Sequence, residues 1–164
     1  MSEKPYLIFV VEDNELNILL LTRILATLGV DYECAVNGLE ACEKVGKADY
    51  DVVFMDLNMP VMDGFEATKK IRKELNKTMP IIVVTANTSA EDMDLIYEYG
   101  ASEHIHKPIS KQAVADALVN VCIANSTGSS GSILTIKLLI LRSALYTISL
   151  LLTISHEVCF FKVL

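Results

Sequence analysis

Five short runs, mostly apolar and separated by stretches with helical spacing, constrain this chain more than any other feature. Tyr6–Val11 (YLIFVV) leads into Glu12-Asp13, Asp51–Asp56 (DVVFMD) ends in a carboxylate, and Ile81–Thr85 (IIVVT) ends in a hydroxyl. Tyr32–Val36 and Ser102–His106 are weaker members of the set. The strong runs are continuously apolar instead of alternating, which is the pattern of strands buried on both faces of a parallel sheet. Between them the spacing predicts helices. Glu15–Leu28 places Leu16, Leu19, Leu20, Arg23, Ile24 and Leu28 near helical intervals, with Asn14 as N-cap and Gly29 as the stop. Asn37-Gly38 reads as a turn into a short helix, Leu39–Val45. Gly64–Leu75 carries Phe65, Thr68, Ile71 and Leu75 on one side. Thr88-Ser89-Ala90-Glu91 fits a capping box for a helix reaching about Tyr99-Gly100, and Ser110 caps a last helix through about Ala124.

Strand and helix alternate five times, so the expected class is α/β: a doubly wound, five-stranded parallel sheet with right-handed crossovers and helices on both faces. In such sheets ligands bind beyond the carboxyl ends of the strands. The first, third, fourth and fifth strands end at Glu12/Asp13, Asp56, Thr85 and Lys107, and those residues are expected to share one crevice. Taken singly, each is an ordinary residue: a helix cap, a solvated turn carboxylate, a β-branched strand residue, a surface lysine. Their joint arrival at four strand ends is what points to chemistry. Clustered carboxylates repel and call for a cation. Hard oxygen ligands suit Mg²⁺, which keeps several of its waters. An ammonium and a hydroxyl opposite the acids could grip the oxygens of a phosphoryl group, with Asp56 as the nucleophile that forms an acyl phosphate.

Charge excludes one class of partner. Residues 1–126 carry 11 Lys/Arg and 20 Asp/Glu, net −9, whereas residues 127–164 carry 3 and 1, net +2. An acidic domain lacks the basic face that nucleic acid requires. Cys34, Cys42, Cys122 and Cys159 form no CxxC pair and no metal-ligand spacing with histidine, which suggests free thiols in a reducing, cytoplasmic setting. The N-terminal apolar run is too short and too acidic for a signal peptide.

With these residues in place, the sequence resembles the receiver domains of response regulators. VVEDNELN at 10–17, MDLNMPVMDG at 55–64, TA at 85–86 and KP at 107–108 carry the resemblance, which covers roughly residues 5–124. The form EDN followed by Asn17 is most similar to receiver domains attached to hybrid histidine kinases. The resemblance implies a flavodoxin-like sheet of strand order 2-1-3-4-5 and a place in a two-component phosphorelay. It implies that Asp56 takes a phosphoryl group from a phosphohistidine on a histidine kinase or histidine phosphotransfer protein. It implies Mg²⁺ held by Glu12, Asp13, Asp56 and the backbone carbonyl of Asn58, with Asp13 foremost, and an acyl phosphate neutralised by Lys107. It further implies a cis peptide bond before Pro108, and a switch in which Thr85 moves toward the phosphoryl group and His104 rotates in behind it. His104 stands where the family usually has Tyr or Phe, though His also occurs; as a bare sequence it is equally a half-exposed sheet residue. The resemblance also implies that Asn58 and Asn87 stand at positions that, in the family, tune the lifetime of the aspartyl phosphate.

Two rival functions are weaker. A phosphatase with an aspartyl-phosphate intermediate wants an acid two residues after the nucleophile, and Asn58 stands there. A phosphorylation-independent interaction module predicts loss of an acid or of the lysine, and all are present. Self-phosphorylation and autodephosphorylation are expected, without substrate turnover. Beyond residue 124, 125–132 reads as a Ser/Gly linker and 133–164 as an apolar tail. The longest charge-free stretch of that tail, Ser143–Ser155, is shorter than the roughly 20 residues of a spanning helix. A membrane tether, a partner-binding segment and a segment without a selected structure all remain open for it.

Overall fold

The computed structural model describes residues 6–86 and 89–124. The elements run β1 (Leu7–Val11), α1 (Glu15–Leu28), β2 (Asp31–Ala35), α2 (Gly38–Lys47), β3 (Val52–Asp56), α3 (Gly64–Lys73), β4 (Ile81–Thr85), α4 (Ala90–Glu98), β5 (Glu103–His106) and α5 (Lys111–Ala124). The five strands form one parallel sheet in the order β2-β1-β3-β4-β5. This is the doubly wound, flavodoxin-like architecture expected from the sequence. The segments at 125–132 and 133–164, with Cys159, lie outside the described residues, as do Asn87 and Thr88. Among the described residues no helix is long and apolar enough to cross a membrane.

The continuous apolar runs are explained by two-sided burial. Ile8, Val10, Val52, Phe54, Ile82, Val84 and Ile105 pack toward α1 and α5. The alternate residues Phe9, Val11, Val53, Met55, Ile81 and Val83 pack toward α2, α3 and α4. The sheet thus divides two cores, and every residue of β3 and β4 is buried. The edge strand β2 exposes Asp31, Tyr32 and Glu33, charges that discourage edge-to-edge pairing.

Side-chain caps fix where the helices begin. Asn14 Oδ1 accepts from the N–H groups of Leu16 (3.0 Å) and Asn17 (3.2 Å), and Gly29 ends α1 in the left-handed region at φ 71°. Asn37, Asp63 and Ser110 accept from Glu40, Glu66 and Ala113 in the same way. Arg72 of α3 binds two loops by donating from Nε to Gly100 O (3.0 Å) and from Nη1 to Lys77 O (2.8 Å).

Two local expectations are corrected and one is sharpened. Leu16, Leu19 and Leu20 keep the helical spacing but lie away from the core, at 74%, 50% and 41% exposed. The leucine run at 19–21 allows two apolar stripes to be drawn, and the sheet takes the one through Leu21, Ile24, Leu25 and Leu28. Asn37-Gly38 is not a turn ahead of the helix. Asn37 is the N-cap, and Gly38 is the first, buried residue of α2, where a Cβ would lie 2.7 Å from Met62 O. Ser89 caps α4 and is answered by Asp92 instead of Glu91: the Asp92 N–H donates to Ser89 Oγ (3.2 Å), and Oγ meets Asp92 Oδ2 (2.6 Å), while Thr88 lies outside the described residues.

One buried group in α3 lacks a partner. Thr68 is 2% exposed and its hydroxyl has no hydrogen bond among the described residues. A buried donor left unsatisfied costs about 1–3 kcal/mol. Thr68→Val should therefore raise the unfolding free energy by about 1 kcal/mol. Urea denaturation of the variant beside the unaltered chain measures it.

Candidate functional site

The right-handed crossovers place the carboxyl ends of β1, β3, β4 and β5 along one rim of the sheet. Glu12 follows β1 and is 3% exposed; Asp56 ends β3 and is 3% exposed. Thr85 ends β4 fully buried. Lys107 follows β5, and its N–H donates to Thr85 O (2.9 Å). Its Nζ lies 2.9 Å from Glu12 Oε2 and 2.9 Å from Asp56 Oδ2, so one ammonium joins three strands. Asp13 is exposed beside them, and a carboxylate oxygen from each of Glu12, Asp13 and Asp56 falls within 4.8 Å of the others. Asp56 Oδ1 accepts from Asn58 N–H (3.3 Å). The Lys107–Pro108 peptide bond is cis.

Further residues shape the site. Glu12 Oε1 accepts from Asn17 Nδ2 (3.0 Å) and from Asn14 N–H (3.3 Å), so the first turn of α1 orients the buried acid. Gly64 admits no side chain, because a Cβ there would collide with Asp56 O. Its N–H donates to Leu57 O (2.9 Å), closing the loop between β3 and α3. His104 is on β5, and its Nδ1 lies 2.6 Å from the Tyr97 hydroxyl of α4, with the two rings edge to face at 5.9 Å. The His106 ring stands 4.8 Å from that of His104. The sequence reading missed Tyr97, Gly64's collision and Asn17's grip on Glu12. Tyr97 left no signal because its contact joins two elements; the others were inside quoted motifs but only tertiary geometry gives them a reason.

Charge at the site is unbalanced. Three carboxylates and one ammonium leave −3 + 1 = −2. Burial raises the Asp56 carboxyl above its ordinary pKa; the Lys107 hydrogen bond opposes this, and the Glu12 charge adds to it. Burial pulls the Lys107 ammonium down, but its hydrogen bonds to Asp56 and Glu12 outweigh this and leave it raised. Oxygen donors with two residual negative charges fit a hard divalent cation such as Mg²⁺.

The profile of the response regulator receiver domain matches residues 8–119. The chain belongs to the response regulator receiver domain family. Receiver domains are phosphoacceptor signalling domains and bind Mg²⁺ at an acidic site. This receiver domain is 35% identical over 132 residues to hybrid signal transduction histidine kinase L of Dictyostelium discoideum, covering 76% of the chain and 8% of that protein. It is 36% identical over 117 residues to the sensor histidine kinase RcsC of Salmonella typhi, covering 71% and 12%. The chain thus spans a small part of the length of these kinases. Among solved structures it is similar to the chemotaxis protein CheY4 of Vibrio cholerae, with a TM-score of 0.68, 32% identity, and coverage of 72% of this chain and 99% of that one. It is also similar to the receiver domain of the sensor histidine kinase PA1611 of Pseudomonas aeruginosa, which has a magnesium ion in its active-site cleft; the TM-score is 0.64, the identity 30%, and the coverage 70% and 95%.

The pH dependence of stability follows from the Asp56 shift. A carboxyl raised in the folded state contributes stability that is full below the unfolded value and is lost as pH rises through the folded one. Asp56→Asn should thus be more stable than the unaltered chain at about pH 7 without metal, and the gap should close toward about pH 4. Added Mg²⁺ should narrow the gap by stabilising the unaltered chain more. Urea melts across pH, with EDTA or Mg²⁺, measure both effects.

Proposed function

We propose that Asp56 accepts a phosphoryl group from a phosphohistidine on a histidine kinase or a histidine phosphotransfer protein. The observation that carries this reading is the Lys107 ammonium seated at 2.9 Å on both Asp56 and Glu12 within the three-acid cluster. An Asp56 carboxylate oxygen attacks phosphorus and forms the new P–O bond. The P–N bond to the donor imidazole breaks, and the imidazole leaves with the bonding pair and takes a proton. Glu12, Asp13, Asp56 and the Asn58 carbonyl would hold Mg²⁺, which supplies neutralising charge for the phosphoryl oxygens. Lys107 offers its ammonium to the same oxygens, and Thr85 its hydroxyl. Glu12, oriented by Asn14 and Asn17, keeps the ammonium aimed at the pocket.

Phosphorylation adds about −1.5 to −2 charge and three acceptor oxygens. Thr85 and Lys107 satisfy them by moving inward, and His104, on the strand beside Thr85, follows. Because His104 is joined to Tyr97, that movement reaches α4, and the face of α4, β5 and α5 changes shape. The same site admits water for autodephosphorylation, with Asn58 and Asn87 tuning its rate. Residues 5–124 form the working receiver unit.

Incubation with acetyl phosphate and Mg²⁺, followed by intact mass and peptide mapping, tests the reading. One phosphoryl group should appear on Asp56, vanish with EDTA, and be absent from Asp56→Asn. Metal-independent labelling, or labelling of the variant to the same extent, contradicts it.

A further inference from the structure

The loop between β3 and α3 holds a strained residue that packing does not explain. Leu57 and Met59 are buried at 3% and 9% exposure, and Gly64 N–H closes the loop onto Leu57 O (2.9 Å). Gly38 N–H, at the start of α2, donates to Met62 O (3.0 Å). Between these anchors Val61 sits at φ 72°, in the left-handed region. Met62 N–H donates to Pro60 O (2.9 Å), so Val61 is the centre of a three-residue turn of the rare positive-φ hand. A β-branched residue is among the least suited to that conformation, which Gly and Asn adopt readily. Its side chain gains nothing from the core, being 77% exposed, more than any other large hydrophobic among the described residues. Strain held by its surroundings at an active-site loop is grounds for a functional hypothesis.

The position of Val61 suggests what covers it. Asp56 is 3% exposed, so a phosphohistidine carried by a protein reaches it only if that protein's surface settles over the rim. Asp13 and Asn58 are exposed at that rim, and Val61 follows Asn58 by three residues, at most about 10 Å along the chain. A small phosphodonor is too compact to need the loop tip; a macromolecular one would press on it. The geometry points to Val61 as a specificity-determining contact, an apolar knob presented by a strained turn to an apolar patch on the phosphohistidine donor protein. This inference rests on Asp56 being the phosphoacceptor.

Val61→Asn keeps the left-handed turn without the branched apolar side chain, and Val61→Met restores apolarity without the branch. Each variant is labelled by phosphoramidate and by one phosphorylated histidine-phosphotransfer domain chosen because it labels the unaltered chain. The readout is kcat/KM for the protein donor divided by the phosphoramidate rate. Val61→Asn should lower this ratio roughly tenfold, the order expected from losing one buried apolar side chain. The loss should lie in half-saturation instead of plateau rate. Val61→Met should return the ratio to within about twofold of the unaltered value, and Val61→Asn should melt roughly 3 °C higher as strain is released. A ratio for Val61→Asn within twofold of the unaltered chain, an equal fall with both donors, or a lower melting temperature would overturn the inference. Failure of phosphoramidate to label Asp56 in the unaltered chain would instead overturn the phosphoacceptor reading, and this inference with it.

Discussion

One ammonium holds the active end of this domain together. Lys107 bridges Glu12 and Asp56, and so ties the loop after β5 to the ends of β1 and β3. The pairing is incomplete by design of the residue set, since one cation faces three carboxylates. Removing the ammonium would leave the buried acids facing one another unpaired, whereas removing one acid still leaves the ammonium a partner. The crowding nevertheless makes the apo site a net burden on the fold, consistent with the raised Asp56 carboxyl. Such a site trades stability for a cluster of acids that a cation would neutralise.

The sheet makes that crowding possible. Strands buried on both faces resist slipping through packing, because a shift of one residue would exchange every side chain between two close-packed cores of different shape. Their ends are therefore fixed in space by the apolar residues behind them. Gly64 adds a steric condition: the chain returns so closely over Asp56 O that only glycine fits. Asn14 and Asn17 add a directional one at Glu12. The reactive groups thus sit on rigid supports, while the loop between β3 and α3 holds its tension at Val61.

Much of this was legible in the sequence where a single residue type had a single use. Continuous apolar runs ending in Asp13, Asp56 and Thr85 have few foldings other than a parallel sheet with a polar rim, so class, strand order and the acid cluster followed from pattern and resemblance. Legibility failed where one stretch served two patterns. The leucines at 19–21 belong to two possible stripes, and only the sheet chooses between them. Asn37-Gly38 has the composition of a turn, yet Asn caps helices equally well, and the close approach of Met62 O decides. Tyr97 and His104 are seven residues apart and on different elements, so their contact has no periodic signature. Val61 was hidden for another reason: nothing in its identity announces a positive φ, and its neighbours impose one.

The clamp made by Arg72 has a mechanical consequence. By holding Gly100 O and Lys77 O from one guanidinium, it pins the carboxyl end of α4 to the end of α3. Tyr97, within a turn of Gly100, therefore sits at the end of α4 that is tied to its neighbour, and a load entering the helix through the His104 contact is shared with α3 and with the loop at Lys77.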